Sequence, residues 1–262
     1  MNHDITIDEK RVYADRTGAI EVLVAAEQGL VVASLSTDLV GEFGLDHRAT
    51  VRDVAATGDR RVVATDGDVL VGSYVPTDFG PAVAVGFDRG GAPLAAGPDG
   101  RVARLDDGWT RLGSVDDPRA VDAGMVAAAD GVHQVVDGGL RSVGLADVRD
   151  VHGRDMPFAA TGDGLYRLGN GWMDERDGAF AAVSADGDRV VAVGDAGLLV
   201  REGVAAWSAV ETPGSDRIVD VGFTEAATVA VTADGTLLAD AGDGWRTRAL
   251  GVTGVSRLAV QA

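Results

Sequence analysis

The apolar residues of the chain fall into short runs that come in pairs around a turn of Asp and Gly. Two examples of this unit are RVVATDGDVLVGS from Arg61 and ATVAVTADGTLLA from Ala227. Val and Leu suit a pleated strand, and an Asp-Gly turn supplies the positive φ that a hairpin needs. Apolar residues at spacings of three and four, which would indicate helices, are not sustained anywhere. The pattern therefore predicts β-hairpins.

The hairpin unit occurs seven times along the chain. Its turn glycines are Gly29, Gly67, Gly100, Gly131, Gly164, Gly197 and Gly235. A short apolar segment such as VRDVAA from Val51 precedes most hairpins, and a polar-edged strand follows. Four strands in about 30 to 40 residues is the size of a propeller blade. Blades bury their faces by packing against one another around an axis. We therefore expect an all-β fold: a single β-propeller of seven blades, each with about four short antiparallel strands, over residues 11–262. Residues 1–10 are expected to be a polar tail.

Two terminal segments are candidates for closing the ring. The C-terminal VSRLAVQA from Val255 resembles VRDVAA but has no hairpin after it, so it could supply the inner strand of the first blade. The segment RVYADR, from Arg11 to Arg16, is the alternative. Spacing alone does not decide between them.

The net negative charge of the chain is large, but it is weak evidence about function. The net charge is −18, but Lys10 is the single lysine and the acids are mostly Asp, spread without an acidic run. Sparse Lys and scattered Asp are typical of proteins from a molar-salt cytoplasm, where net charge keeps the surface hydrated and is screened. Phosphate binding is disfavoured, so we expect no nucleic-acid partner. The polar start and the absence of long apolar runs predict a cytoplasmic protein with no membrane association.

The candidate channel residues come from comparing the repeats with one another. Aligning the inner strands places Asp53, Asp122, Asp150 and Asp220 at one position. Two residues further on, His152 is the large residue among small ones, so it is a candidate ligand contact or titrating group. The alternative is that His152 fills space and that the aspartates bond backbone N–H groups. No metal-ligand spacing or cofactor motif is present, and the chain has no Cys, so no metal or cofactor is expected.

The candidate partner-binding residues lie in three segments that differ from the other repeats. The segment KRVYADRTG contributes Arg11, Tyr13 and Arg16, and it could instead be the closing strand. The other candidates are Phe79, expected to be exposed between turn residues, and Trp172 with Met173 on an outer strand. All four Trp share one repeat position, which favours packing between neighbouring sheets over ligand stacking.

Three segments carry a resemblance to a known family: KRVYADRTG from Lys10, FGLDHR from Phe43 and LGNGWMDERDG from Leu168. On these segments the chain resembles a haloarchaeal β-propeller family that has no assigned activity, and the resemblance extends over the whole length. It implies a propeller fold and carries over no catalytic residues.

The main hypothesis is a non-enzymatic propeller that presents its rim and one face to a protein partner. The alternative is a small-molecule binder or a hydrolase- or lyase-type enzyme that uses the central channel.

Overall fold

The computed structural model describes residues 20–203, 206–214 and 216–261, which form seven four-stranded antiparallel sheets. Within that part of the chain there is no helix that could cross a membrane. The first fourteen strands are β1 (Ile20–Ala26), β2 (Gly29–Ser36), β3 (Leu39–His47), β4 (Val51–Thr57), β5 (Arg60–Thr65), β6 (Val69–Val71), β7 (Val75–Pro76), β8 (Ala84–Phe87), β9 (Pro93–Ala96), β10 (Arg101–Leu105), β11 (Trp109–Ser114), β12 (Pro118–Asp122), β13 (Met125–Ala128) and β14 (Gly131–Val136). The others are β15 (Gly139–Gly144), β16 (Val148–His152), β17 (Phe158–Thr161), β18 (Gly164–Leu168), β19 (Trp172–Asp177), β20 (Phe180–Asp186), β21 (Arg189–Gly194), β22 (Gly197–Glu202), β23 (Ala206–Val210), β24 (Ile218–Phe223), β25 (Thr228–Thr232), β26 (Thr236–Asp240), β27 (Arg246–Ala249) and β28 (Arg257–Gln261).

Each sheet is one blade of a seven-bladed β-propeller. Blades two to seven take four consecutive strands each, from β4–β7 to β24–β27, and the first blade has the order β28-β1-β2-β3. The turns after the first and third strands of blades two to seven, and after the third strand of blade one, lie on one face of the ring, which we call the mouth face. The turns after the second strands lie on the opposite, far face.

The C-terminal strand closes the ring. Strand β28 pairs with β1, with Arg257 opposite Ala25 and Ala259 opposite Leu23, and so forms the inner strand of the first blade. The C-terminal alternative from the sequence is therefore confirmed. The other alternative, Arg11 to Arg16, lies outside the described residues, as does the expected tail.

The apolar core consists of seven clusters, one at each boundary between neighbouring blades. At the boundary of blades four and five, for example, Met125 and Val132 pack with Val148 and Ala159. This arrangement explains the composition, because closely spaced sheets leave room for Val, Ala and Leu but for few aromatic side chains.

The turn glycines allow close approach as well as positive φ. Gly100 and Gly235 have φ values of 82° and 86°, and a Cβ there would lie 2.3 Å and 2.2 Å from the carbonyl oxygens of Val115 and Val252. Those carbonyls belong to the segments that leave the same blades, so the hairpin turn and the exit segment pack against each other on the far face.

Candidate functional site

Strand pairing defines two rings of residues around the axis. The first, which we call the axial ring, contains Asp53, Ala84, Ala120, Asp150, Ala182, Asp220 and Arg257. The second, two residues further along each inner strand, is the mouth ring: Ala55, Gly86, Asp122, His152, Ser184, Gly222 and Ala259.

The sequence alignment of Asp122 with the other three aspartates was wrong by two residues. A bulge between Pro118 and Ala120 is matched by one between Val148 and Asp150, which places Ala120 at the register of Asp150. Asp122 therefore lies in the mouth ring, at the register of His152. The alignment matched residue type, whereas register is set by hydrogen-bonded pairing.

The axial aspartates join neighbouring blades through backbone hydrogen bonds. The Val85 N–H donates to Asp53 Oδ2 at 2.8 Å, and the Val183 N–H donates to Asp150 Oδ2 at the same distance. The Leu258 N–H likewise donates to Asp220 Oδ2 at 2.8 Å, across the boundary that β28 closes. In each case the donor lies on the inner strand of the next blade. The interpretation that these aspartates bond backbone N–H groups is therefore confirmed.

Arg257 is the seventh member of the axial ring and its only cation. Its side chain crosses the channel, with Nη1 3.3 Å from Asp150 Oδ1 and 4.0 Å from Asp220 Oδ1. Its Nη2 donates to the carbonyl oxygens of Arg119 and Arg149 at 3.1 and 3.3 Å. One guanidinium on the closing strand thus contacts blades four, five and seven.

The axial ring holds more buried negative charge than one arginine neutralises. Burial raises the pKa of Asp53 to about 7, although Arg257 opposes the shift. Burial also raises the pKa of Asp150 to about 6 and raises that of Asp220. Burial lowers the pKa of Arg257, but the charges of Asp150 and Asp220 outweigh this effect and leave it above its ordinary value. The guanidinium therefore stays charged while the carboxylates share one counter-ion.

A cavity of about 440 Å³ lies above the axial ring and opens on the mouth face. Its lining includes the axial carboxylates, the three polar members of the mouth ring, Arg154 from the turn above and Asp186 from the end of β20. The opposite wall is apolar or small, with Gly222, Phe223 and Val260. The cavity thus combines a few convergent polar groups with an apolar wall, as ligand sites do.

His152 and Arg154 lie close to Asp122 at the mouth of the channel, but neither side chain is hydrogen-bonded to it. His152 Nδ1 lies 3.8 Å from Asp122 Oδ2, and Arg154 Nε lies 3.7 Å from Asp122 Oδ1. Asp122 Oδ2 accepts a 2.7 Å hydrogen bond from the Gly153 N–H of the next blade. Burial lowers the pKa of His152, against the charges of Asp122 and Asp150, so the imidazole is neutral near pH 7.

Asp122, His152 and Ser184 occupy one level in three successive blades, in the order acid, base and nucleophile. Their contacts do not form a catalytic triad, because the Asp122–His152 distance exceeds a hydrogen bond and none links His152 to Ser184 among the described contacts. Nor do the described residues contain a group of three or more His, Cys, Asp or Glu side chains arranged to hold a metal ion.

Phe79 was wrongly expected to be exposed. It is 5% exposed and packs between blades two and three, against Trp109 with Arg101 over its ring. The turn residues around it suggested an exposed loop, but the apolar ring fills the boundary between the blades. Phe79 therefore offers no surface for a partner.

Trp172 is half-buried, and its Nε1–H donates to the Val143 carbonyl oxygen of the preceding blade at 2.9 Å. Trp109 bonds Thr77 of the preceding blade in the same way. These contacts confirm the interpretation of the Trp position as packing between sheets. Met173 is 38% exposed on the outer strand of blade five. Arg11, Tyr13 and Arg16 lie outside the described residues.

The propeller geometry agrees with the comparison to protein families. The family described as HVO_0234-like beta propeller matches residues 6–261. The chain belongs to this β-propeller family. No curated protein matches the chain.

Several solved propellers share the fold at low sequence identity. The computationally designed Ika8 protein is 18% identical with a TM-score of 0.63, over 92% of this chain and 90% of that one. BamB from Moraxella catarrhalis is 15% identical with a TM-score of 0.51, over 90% and 84% of the two chains. YCF48 bound to D1 peptide is 13% identical with a TM-score of 0.58, over 76% and 82%. At these identities the similarity shows the fold alone.

Proposed function

We propose that this chain is a non-enzymatic interaction propeller of a salt-adapted cytoplasm, which presents its mouth face to a protein partner. The observation that carries the proposal is that the axial aspartates are engaged in hydrogen bonds that join the blades. Each accepts a hydrogen bond from a backbone N–H of the next blade, and Arg257 provides their shared counter-ion. These groups hold the ring together, and the exposed chemistry lies in the turns around the channel mouth.

The charge pattern and the structural neighbours support this proposal. An acidic, lysine-poor surface is typical of proteins from a molar-salt cytoplasm. Because its charge is spread evenly, partner recognition would depend on the shape of a few regions of the surface. Among the propellers of the same fold, YCF48 is seen bound to a peptide. Propellers host many unrelated functions, so this precedent supports a protein partner without naming one.

The test is affinity capture of the tagged chain from its native lysate in molar KCl, followed by mass spectrometry. Arg89 on the mouth face and Arg176 on the outer strand of blade five are both exposed, and neither has an ion-pair partner within the described residues. We expect one protein at near-equal amounts with wild type and Arg176→Glu, and its loss with Arg89→Glu. Capture of no stoichiometric protein, or equal loss with both variants, would contradict the proposal.

The second candidate is a small-molecule binder, or a hydrolase- or lyase-type enzyme, that uses the channel. The cavity of about 440 Å³ and the polar side of the mouth ring favour it. His152→Ala separates the two candidates, because it should abolish a channel activity and leave capture of a partner by the mouth face unchanged.

A further inference from the structure

The mouth face carries a groove that runs outward from the channel over blade four. The inner turn of that blade is only Ala123 and Gly124, between β12 and β13, whereas five residues, 88–92 and 153–157, connect the corresponding strands of blades three and five. A short turn between two longer ones leaves a radial depression. Its sides are the loops of blades three and five, and its base is the short turn.

The groove is continuous with the channel cavity. Thr57 and Arg154 line both the channel cavity and a cavity of about 370 Å³ next to it. Arg89 and Ala123 in turn line both that cavity and a third of about 180 Å³ further out. An extended chain fits a narrow path of this kind, whereas a folded domain does not.

Negative charge is concentrated where the groove meets the channel. Five aspartates but only two arginines line the channel cavity, and His152 is neutral because burial lowers its pKa. Asp53 has no cation within 4.0 Å among the described residues, although it is only 6% exposed. These carboxylates are complementary to a cation that carries N–H donors.

We propose that an extended segment of a protein partner lies in the groove over blade four and inserts one lysine or arginine side chain into the channel mouth. The aliphatic stem of that side chain would pack on Gly222, Phe223 and Val260, and its charged end would face Asp122 and the axial carboxylates. This inference rests on the proposed function and specifies the chemistry of the partner.

The first test measures binding of a blocked seven-residue Gly/Ser peptide with one central lysine, by calorimetry in the KCl concentration that keeps the propeller folded. The matched peptide carries norleucine, which keeps the stem and removes the charge. We expect the lysine peptide to bind at least about tenfold more tightly, since a buried ion pair is less screened by salt than a surface one. Equal binding of the two peptides, or no binding of either, would overturn the inference.

The second test locates the site with matched variants. Asp122→Asn combined with Asp186→Asn removes two charges from the cavity lining, and Asp195→Asn combined with Asp216→Asn removes two exposed charges from the far face. We expect the first pair to weaken lysine-peptide binding about tenfold and the second to leave it within about twofold. The reverse order, or equal effects, would contradict the site. Asp186→Asn alone, at a more exposed position, is the substitute if the first pair does not fold.

Proton release provides a readout that a surface site would not give. A cation in the channel mouth favours the ionised form of Asp53, which faces Arg257, Asp150 and Asp220 across the axis. Binding near pH 6.5 should therefore release protons, seen as a dependence of the binding heat on the ionisation enthalpy of the buffer. No net proton release would place the peptide outside the channel. Partner capture that persists while both peptides fail would refute the inserted cation and leave the proposed function standing.

Discussion

The axial ring and the mouth ring lie two residues apart on the same inner strands, and both contain aspartates. In the axial ring the carboxylates are almost fully buried, accept backbone N–H groups from the next blade and face Arg257. In the mouth ring the side chain of Asp122 is 30% exposed, and its distances to His152 and Arg154 exceed those of hydrogen bonds. Asp122 also accepts the Gly153 N–H of the next blade, but its Oδ1 has no hydrogen bond within the described residues, so this carboxylate keeps one oxygen available to a ligand.

The largest expected effect comes from removing the axial cation. Arg257→Met leaves three buried carboxylates without a counter-ion, so we expect a loss of about 3 to 5 kcal/mol in the free energy of unfolding at pH 8. Arg154→Met, at the mouth, should cost less than about 0.5 kcal/mol because half of that side chain is exposed. Denaturant unfolding in molar KCl measures both. Equal losses would remove the distinction between the two rings.

The pH dependence of stability is the next largest effect. The folded-state pKa values of Asp53 and Asp150 lie above those of the unfolded chain, so their contribution is present at low pH and is lost as pH rises through about 6 and 7. We expect stability to increase by roughly 2 to 3 kcal/mol as pH falls from about 8 to about 5.5. His152 opposes this trend below about pH 6.5, because its pKa is lowered by folding. Unfolding curves measured across this range would contradict the account if stability decreased as the pH fell from about 8 to about 5.5. Asp53→Asn should remove most of the dependence of stability on pH.

Truncation of single aspartates compares the rings directly. Asp53→Ala leaves the N–H groups of Val54 and Val85 without acceptors in a buried place, so we expect a cost of about 2 kcal/mol. Asp122→Ala leaves one such group, the N–H of Gly153, which lines an open cavity, so a cost of about 1 kcal/mol or less is expected. Thermal unfolding of the two variants decides the order, and a larger loss for Asp122→Ala would reverse the assignment of roles.

The smallest effect is expected at His152. Its ring makes no hydrogen bond within the described residues, so His152→Ala should change the free energy of unfolding by less than about 1 kcal/mol. A loss of several kcal/mol would show that His152 is a structural residue of the channel. The same variant tests the channel-enzyme alternative, as described above.

The repeat pattern was sufficient to predict the blades, because each hairpin is a local unit with its own turn. Gly100 and Gly235 were predicted as turn residues, and a Cβ at either position would overlap a carbonyl oxygen. The packing of Trp109 and Trp172 between sheets was also predicted, since a Trp restricted to one repeat position must meet the same neighbour each time.

The site was harder to predict because it depends on register and on contacts across the ring. Asp122 was assigned to the wrong level by matching residue type, and Phe79 was placed on the surface because of the turn residues beside it. Arg257 was missed, although a signal was present: in VSRLAVQA the arginine stands where VRDVAA has Asp53. A basic residue at a repeat position that otherwise holds aspartate or alanine indicates a contact with those aspartates, but only the closed ring brings Arg257 to Asp150 and Asp220.

The most direct test of the structural role of the axial ring is a titration of the aspartate side-chain carboxyls by carbon-13 NMR. Buried carboxylates that share one guanidinium should titrate with a pKa of about 7 at Asp53 and about 6 at Asp150. Replacing Arg257 by Met should raise the pKa of both residues further, because their counter-ion is lost. Values near the ordinary aspartate pKa, unchanged in the variant, would mean that the carboxylates are solvated and do not hold the ring together.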